Sequence, residues 1–348
     1  MRTSSSHSNR HTLSTEIIMK RSICGVFAIA VLAVACNKDI NVKQVSPSPI
    51  AFDNAFVEIK TRAAVDPSIT TESIDAFDVW GYMDNTSAVI LNTERVTKKT
   101  DGTWGYQNLQ YWSPNHKYYF YAVAPVDNAN IVVDAQGATA YGLGTITFTN
   151  NGTDDLIYTS KTVTTGADVV NNDPGKVHLQ FAHLLSKIKF TFTNGFPNEN
   201  TKVVVKNITM KAPKKGVIDL TDGSWQTTNK WTVLEDGAVL QFGNVNDGAK
   251  IEVKGSAECA SECFTIPAAK ENVNYEVKFT VELYHGTYDV PALTEEITTN
   301  ITNQEFKIGK SYNFKATVSG SSLALEPIEF EATVNPWSKE PDTEIQPE

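Results

Sequence analysis

The chain is poor in the residues that carry most protein chemistry: its 348 residues include four cysteines and six histidines. A membrane-crossing helix needs about 20 apolar residues, and the longest apolar or small-residue run, Ile23 to Ala35, has 13. Positive charge is in short supply as well. Lys and Arg number 30 against 40 Asp and Glu, a formal charge of −10, so a polyphosphate would meet repulsion over most of the surface. No nucleic-acid partner is expected.

Several patterns are missing too. No long segment combines 3.6-residue periodicity with capping signals, which argues against parallel βαβ units. A Gly-x-Ser-x-Gly elbow, a phosphate-cradling glycine loop and a His-Glu-x-x-His helix are all absent; Gly142-Leu143-Gly144 lacks the third glycine. Asp154 and Asp155 are adjacent, so on a strand their carboxylates would point to opposite faces and could not share a substrate. His183, inside an apolar strand, reads as a hydrogen-bonded core residue, and His116, His178 and His285 form no pattern. No enzyme site, metal or cofactor is expected.

What is present is β-structure. The chain is 41% hydrophobic, 10% aromatic and 20% charged, as a folded globular protein is. Tyr275, Val277, Phe279, Val281 and Leu283 alternate with polar residues, a period of two that predicts a strand with one buried face. Ile188, Phe190 and Phe192 alternate with Lys187, Lys189 and Thr191, and Tyr312, Phe314, Ala316 and Val318 repeat the pattern. Asp101-Gly102, Asn151-Gly152, Asn194-Gly195, Asp222-Gly223, Asp236-Gly237 and Asp247-Gly248 suit tight hairpin turns. The expected fold is all-β, with half-buried antiparallel sheets forming β-sandwiches. At about 150 residues per domain there is room for roughly two. The polar stretch Thr164 to Lys176 is the candidate linker, with domains at 63–175 and 176–337 and a flexible tail at 338–348.

The amino terminus reads as an address. Residues 1–18 are polar and read as untranslated or extra leader; Met19, followed by Lys20 and Arg21, opens a signal peptide spanning 19–35. Leu32-Ala33-Val34-Ala35-Cys36 resembles the lipobox of bacterial lipoproteins, in which the cysteine is acylated and becomes the mature first residue. More than one acyl chain gives stable anchoring. Ala33 stands where the lipobox prefers Leu, and Ala33-Val34-Ala35 also fits an ordinary Ala-x-Ala cleavage site, which would give a freely secreted protein. Loss of residues 1–35 leaves 26 basic and 39 acidic side chains, a charge of −13, so lipid on Cys36 would hold the protein to a membrane without help from a basic patch. Cys259 and Cys263 remain, forming either a small disulfide loop or two free thiols; no neighbouring ligands complete a metal site.

Three further segments carry a resemblance. Trp104-Gly105-Tyr106, Tyr111-Trp112-Ser113-Pro114 and Tyr118-Tyr119-Phe120-Tyr121-Ala122-Val123-Ala124-Pro125 form an aromatic block; Val177 to Ile188 follows, and Ile328-Glu329-Phe330-Glu331-Ala332-Thr333-Val334-Asn335-Pro336-Trp337 ends the series. In this order, behind a lipobox, they resemble the fimbrillin family, the Mfa-like fimbrial lipoproteins of anaerobic Gram-negative bacteria. The resemblance implies two transthyretin-like β-sandwich domains and a fimbrial subunit, structural or accessory, lipid-anchored at the outer membrane through Cys36. It implies partnership with other fimbrial subunits and adhesion to host or bacterial surface receptors. It also implies assembly by strand donation, gated by an arginine-directed protease. Arg62, in Lys60-Thr61-Arg62-Ala63, matches the processing position, and cleavage there would free residues 36–62. Ile328, Phe330, Ala332 and Val334 share one face of the candidate donor strand, which could equally be the last strand of its own domain. The competing function is a monomeric, surface-anchored glycan binder that stacks sugars on the aromatic block, whose plainer role is core packing.

Overall fold

The computed structural model describes residues 48–53, 55–57, 68–84, 88–135, 142–268, 275–302, 304–320 and 329–337. The signal segment, Cys36, Arg62, Ile328 and the tail lie outside the described residues. Among these residues the fold is all-β, with eighteen strands in three sheets and two short 3-10 turns.

The first sheet has seven strands, ordered β1 (Phe56–Val57), β9 (Gln180–His183), β8 (Ile157–Thr164), β5 (Lys117–Ala124), β2 (Ala76–Met83), β3 (Ala88–Lys98) and β4 (Trp104–Gly105). Its centre departs from the expected half-buried pattern. Along β5, Tyr118, Phe120 and Ala122 enter one core with Phe77 and Val79, while Tyr121 and Val123 enter a second with Trp80 and Tyr158. Both faces are covered, so the run reads as continuously apolar instead of alternating.

The third sheet explains the second cover. Its spine is the 19-residue β11 (Thr201–Asp219). One edge of β11 pairs with β15 (Tyr275–His285) over its first half and with β7 (Thr145–Thr149) over its last residues; β12 (Trp231–Gly243) takes the other edge. Beyond β15 lies β16 (Leu293–Ile301), and beyond β7 lies β6 (Ile131–Asp134). Gly142 sits where β11 ends; a Cβ there would fall 1.8 Å from the Leu220 carbonyl oxygen. Strand pairing crosses the position of Gly175 in both directions, since β9 joins the first sheet and β6 and β7 join the third.

The second sheet is built on β10 (Ser186–Asn194), flanked by β13 (Ser256–Glu258) and β14 (Cys263–Thr265) on one side and by a parallel β17 (Lys310–Val318) on the other. β18 (Glu331–Pro336) pairs with β17 and ends this sheet. Alternate residues of β10, β15 and β17 meet in a third core, as their period of two predicts. Asp236-Gly237 is a bulge, not a hairpin turn: Ala212 pairs with Ala238 and Pro213 with Asp236, leaving Gly237 unpaired at φ 99° inside β12. Phe190 contacts Phe242 and Phe330 at ring-centroid distances of 4.8 and 5.3 Å. Phe190→Ala should therefore cost about 3–5 kcal/mol in a denaturant melt, and Gly142→Ala should lower the melting midpoint because backbone, not a flexible side chain, stands in its way.

Candidate functional site

Both ends of the folded body hold strands with unusual surroundings. At the amino end, residues 48–57 lie between two stretches of backbone. On one side Ile50 N–H donates to Gln110 O (2.8 Å) and Trp112 N–H donates to Ser48 O (3.1 Å); on the other, Val177 N–H donates to Ala51 O (2.7 Å) and Phe56 N–H donates to Leu179 O (3.1 Å). Tyr106 Oη adds a bond to Ile50 O at 2.8 Å, and Thr71 Oγ1 donates to Val57 O at 2.7 Å. Ile50, Phe52, Ala55 and Val57 are exposed by 0, 2, 1 and 3%. The Phe52 ring sits edge-on to Phe77, Tyr106 and Phe120, with centroids 5.8 to 5.9 Å apart. Burying four such side chains contributes several kcal/mol, since a fully buried large apolar side chain is worth about 1.5–3 kcal/mol.

The aromatic block supplies the walls of this slot. Trp104, Trp112, Tyr118, Phe120 and Tyr121 are buried, so the block packs the core and leaves little ring face for a sugar; Tyr111 is the member exposed at 50%. Sequence reasoning did not identify 48–57 as a strand. Its buried positions step by two, three and two residues, with Ala51 and Phe56 apolar between them, and this hides the alternation.

At the carboxyl end, all six residues of β18 are exposed, Ala332 and Val334 among them. The apolar face of the candidate donor strand is therefore largely uncovered at home. A cleft of about 410 Å³, lined in part by Ile301, Phe314, Phe330 and Ala332, opens beside it. The strand is held at its ends: Phe330 packs against Phe190, Phe192, Phe279 and Phe314, and Trp337 is 1% exposed.

Trp337 is gripped by a polar cluster. His183 stacks on it at 4.0 Å and 3°, and Phe264 lies at 5.1 Å. Lys187 Nζ is 5.3 Å from the ring centroid and 2.9 Å from Glu262 Oε2. The strand pattern places Lys187 on a polar face; in the structure it is buried, because β14 and Trp337 cover that end of β10 and Glu262 supplies the counter-charge. His183 is the hydrogen-bonded core residue expected, 2.9 Å from Asp155 Oδ2 through Nδ1. Asp155 also accepts from Ile69 N–H at 2.9 Å, whereas Asp154 accepts from Asn128 and Asn130. His116 pairs with Asp84 at 3.0 Å and His178 with Asp53 at 3.1 Å.

Cys259 and Cys263 are free thiols. Each donates to a backbone carbonyl, Cys259 Sγ to Ser261 O at 3.1 Å and Cys263 Sγ to Gln241 O at 3.3 Å. Burial pushes them up to about 11 and about 12. Among the described residues no cluster of three or more His, Cys, Asp or Glu side chains could hold a metal ion.

Two measurements check this anatomy. Trp337→Ala should accelerate hydrogen exchange of β18 amides while leaving β15 protected, because the anchor and not the ladder limits opening. Both thiols should resist alkylation at neutral pH until the chain is unfolded. Their folded pKa values are raised, so the stability they contribute is complete below the unfolded thiol pKa and is lost as pH climbs through about 11 and 12.

Known proteins resemble this chain along most of its length. Fimbrium subunit Fim1C of Phocaeicola vulgatus is 22% identical over 352 aligned positions, covering 85% of this chain and 90% of that protein. The crystal structure of a fimbrial protein from Bacteroides vulgatus matches with a TM-score of 0.54 at 17% identity, covering 83% of this chain and 99% of the other. The family model described as fimbrillin-like matches residues 61–337. The chain belongs to the fimbrillin-like family.

Proposed function

We propose that this protein is a fimbrial subunit, exported as a lipoprotein on Cys36 and matured by cleavage at Arg62, after which residues 48–57 leave and an extended segment of another subunit takes their place. The observation that carries this reading is the setting of 48–57: a segment hydrogen-bonded to 110–112 through its first residues and to 177–179 through the rest, with Ile50, Phe52, Ala55 and Val57 buried, ending five residues before the arginine. Its departure would leave the backbone of 110–112 and 177–179 unpaired and strip the cover from Phe77 and Phe120. Unpaired backbone of this kind is what strand addition satisfies.

The distribution of arginine supports a single cut. After Cys36 the chain has two, Arg62 and Arg95. Arg95 lies within β3 with its guanidinium held by Asp78 through Nε (2.6 Å) and by Asp127 through Nη1 (2.7 Å) and Nη2 (3.0 Å). An arginine-directed protease would find that side chain occupied. The matured body then spans residues 63–337, built as two transthyretin-like sandwiches, and adheres through its place in the fimbrium.

Intact-mass measurement on protein from the native envelope should show acylated precursor beginning at Cys36 and a mature form beginning at Ala63. Arg62→Ala should abolish the mature form and the ladder of polymers seen on an unboiled denaturing gel. Polymers unchanged by Arg62→Ala would overturn the maturation step.

A further inference from the structure

The second core does not close completely where β6 meets β2. A cleft of about 700 Å³ opens there, walled by Trp80 and Tyr82 of β2, Asn92 and Thr93 of β3, and Ile131 and Val133 of β6. It continues into a smaller hollow of about 330 Å³ that shares Trp80, Ile131 and Val133. Pockets that hold small organic ligands run from about 300 to 1,000 Å³. Asp78, Trp80 and Tyr82 alternate along β2 with Phe77 and Val79, so the cleft lies on the face of the first sheet turned away from residues 48–57.

The backbone of β3 is distorted along this wall. Val79 pairs with Glu94, Gly81 with Leu91 and Tyr82 with Val89. Asn92 and Thr93 therefore face Trp80 together, and Ile90 is inserted between the next two pairs, which makes two bulges in succession. At the first, Thr93 has φ 56°, in the left-handed region that a β-branched residue rarely enters. Strain of this kind costs about 1–3 kcal/mol and collects at ligand sites. Its effect here is to set Asn92 and Thr93, both exposed, at the rim of the cleft.

The polar groups around the cleft are uncharged and unused. Among the described residues, none gives a hydrogen bond to or takes one from the Trp80 indole N–H, the Tyr82 hydroxyl, the Asn92 amide or the Thr93 hydroxyl, and none of these groups is sealed from water. Together they offer both donors and acceptors. The one cation among the described lining residues, Arg95, is held by Asp78 and Asp127, and Asp134 adds a further acid, so an anionic ligand would be repelled. Val89, 54% exposed, stands with Ile131 and Val133 as apolar wall. A ligand matching this set is neutral, bears several hydroxyls and has C–H faces.

We propose that this cleft is a binding site for a neutral saccharide, with Asn92 and Thr93 bonding its hydroxyls at the rim and Trp80 N–H and Tyr82 O–H bonding them at the floor. Trp80 is 3% exposed and offers its polar edge without a ring face, so hydrogen bonds and not stacking select the sugar. The site is complete without any change at residues 48–57 or Arg62, so it stands apart from the maturation reading. Neutral glycans of a host surface and of a neighbouring bacterial surface share this chemistry.

The test uses the full chain and saturation-transfer NMR against two probes: neutral oligosaccharides released from mucin, and neutral fragments of bacterial capsular polysaccharide. A sulfated heparin disaccharide serves as the charged control. Transfer to at least one neutral pool and little to the heparin disaccharide is expected, and the pool that responds identifies the source. Asn92→Ala should weaken binding about tenfold, as the loss of one or two hydrogen bonds does, and leave the melting midpoint unchanged because that side chain bonds nothing in the folded chain. Thr93→Gly should also weaken binding without lowering the midpoint, since glycine takes φ 56° freely. No transfer to either neutral pool would overturn the site. Transfer to the heparin disaccharide as strong as to the neutral pools would overturn the ligand class, and binding that both variants leave intact would place the sugar elsewhere and overturn the assignment to this cleft.

Discussion

A strand buried in a sheet must have a hydrogen-bonding neighbour for every backbone N–H and C=O, because an unpaired polar group away from water costs about as much as the bond it lacks. The amino-terminal half of this fold depends on that requirement being met by residues 48–57. Gln110 and Trp112 on one side and Val177 and Leu179 on the other take partners from this short stretch. The side chains answer a second need in the same place, since Phe52 closes the cage of Phe77, Tyr106 and Phe120. Any segment standing in this place must satisfy both requirements at once, backbone pairing on the flanking strands and a ring in the aromatic cage.

The carboxyl strand obeys a different balance. β18 pairs along one edge with β17 and buries almost nothing between Phe330 and Trp337. Its retention depends on what grips Trp337, and that grip includes an ion pair and a histidine–carboxylate pair taken out of water. Buried pairs of this kind contribute little net stability against an apolar alternative, yet losing one partner costs about 3–5 kcal/mol. Asp155 links this cluster to Ile69, seven residues after Arg62, so both ends of the folded body converge on one set of polar contacts.

Much of the fold was legible because a period of two survives wherever a sheet has one covered face. β10, β15 and β17 are of this kind, and their alternate residues lie in one core. Legibility failed where a second layer or a bulge intervened. β5 is covered on both sides and shows no alternation. Asp236-Gly237 has the composition of a hairpin turn but accommodates an extra residue within β12. Lys187 fits the exposed register of its strand and is buried because distant Glu262 and Trp337 come to it. The slot-filling strand escaped notice for a related reason: its buried positions change phase between Phe52 and Ala55, and only the flanking hydrogen bonds show that the phase change is absorbed.

β11 bears on how such a subunit would carry load. Its first residues, Val203 to Ala212, lie in the carboxyl-terminal core, and Ile218 lies in the core shared with the first sheet, with no loop between them. A flexible joint would let one half swing while the other was pulled. A continuous spar with neighbours on both edges passes tension from one core to the next through covalent backbone and many bonds strained together, so the subunit behaves as a stiff link whose length changes little until a ladder gives way.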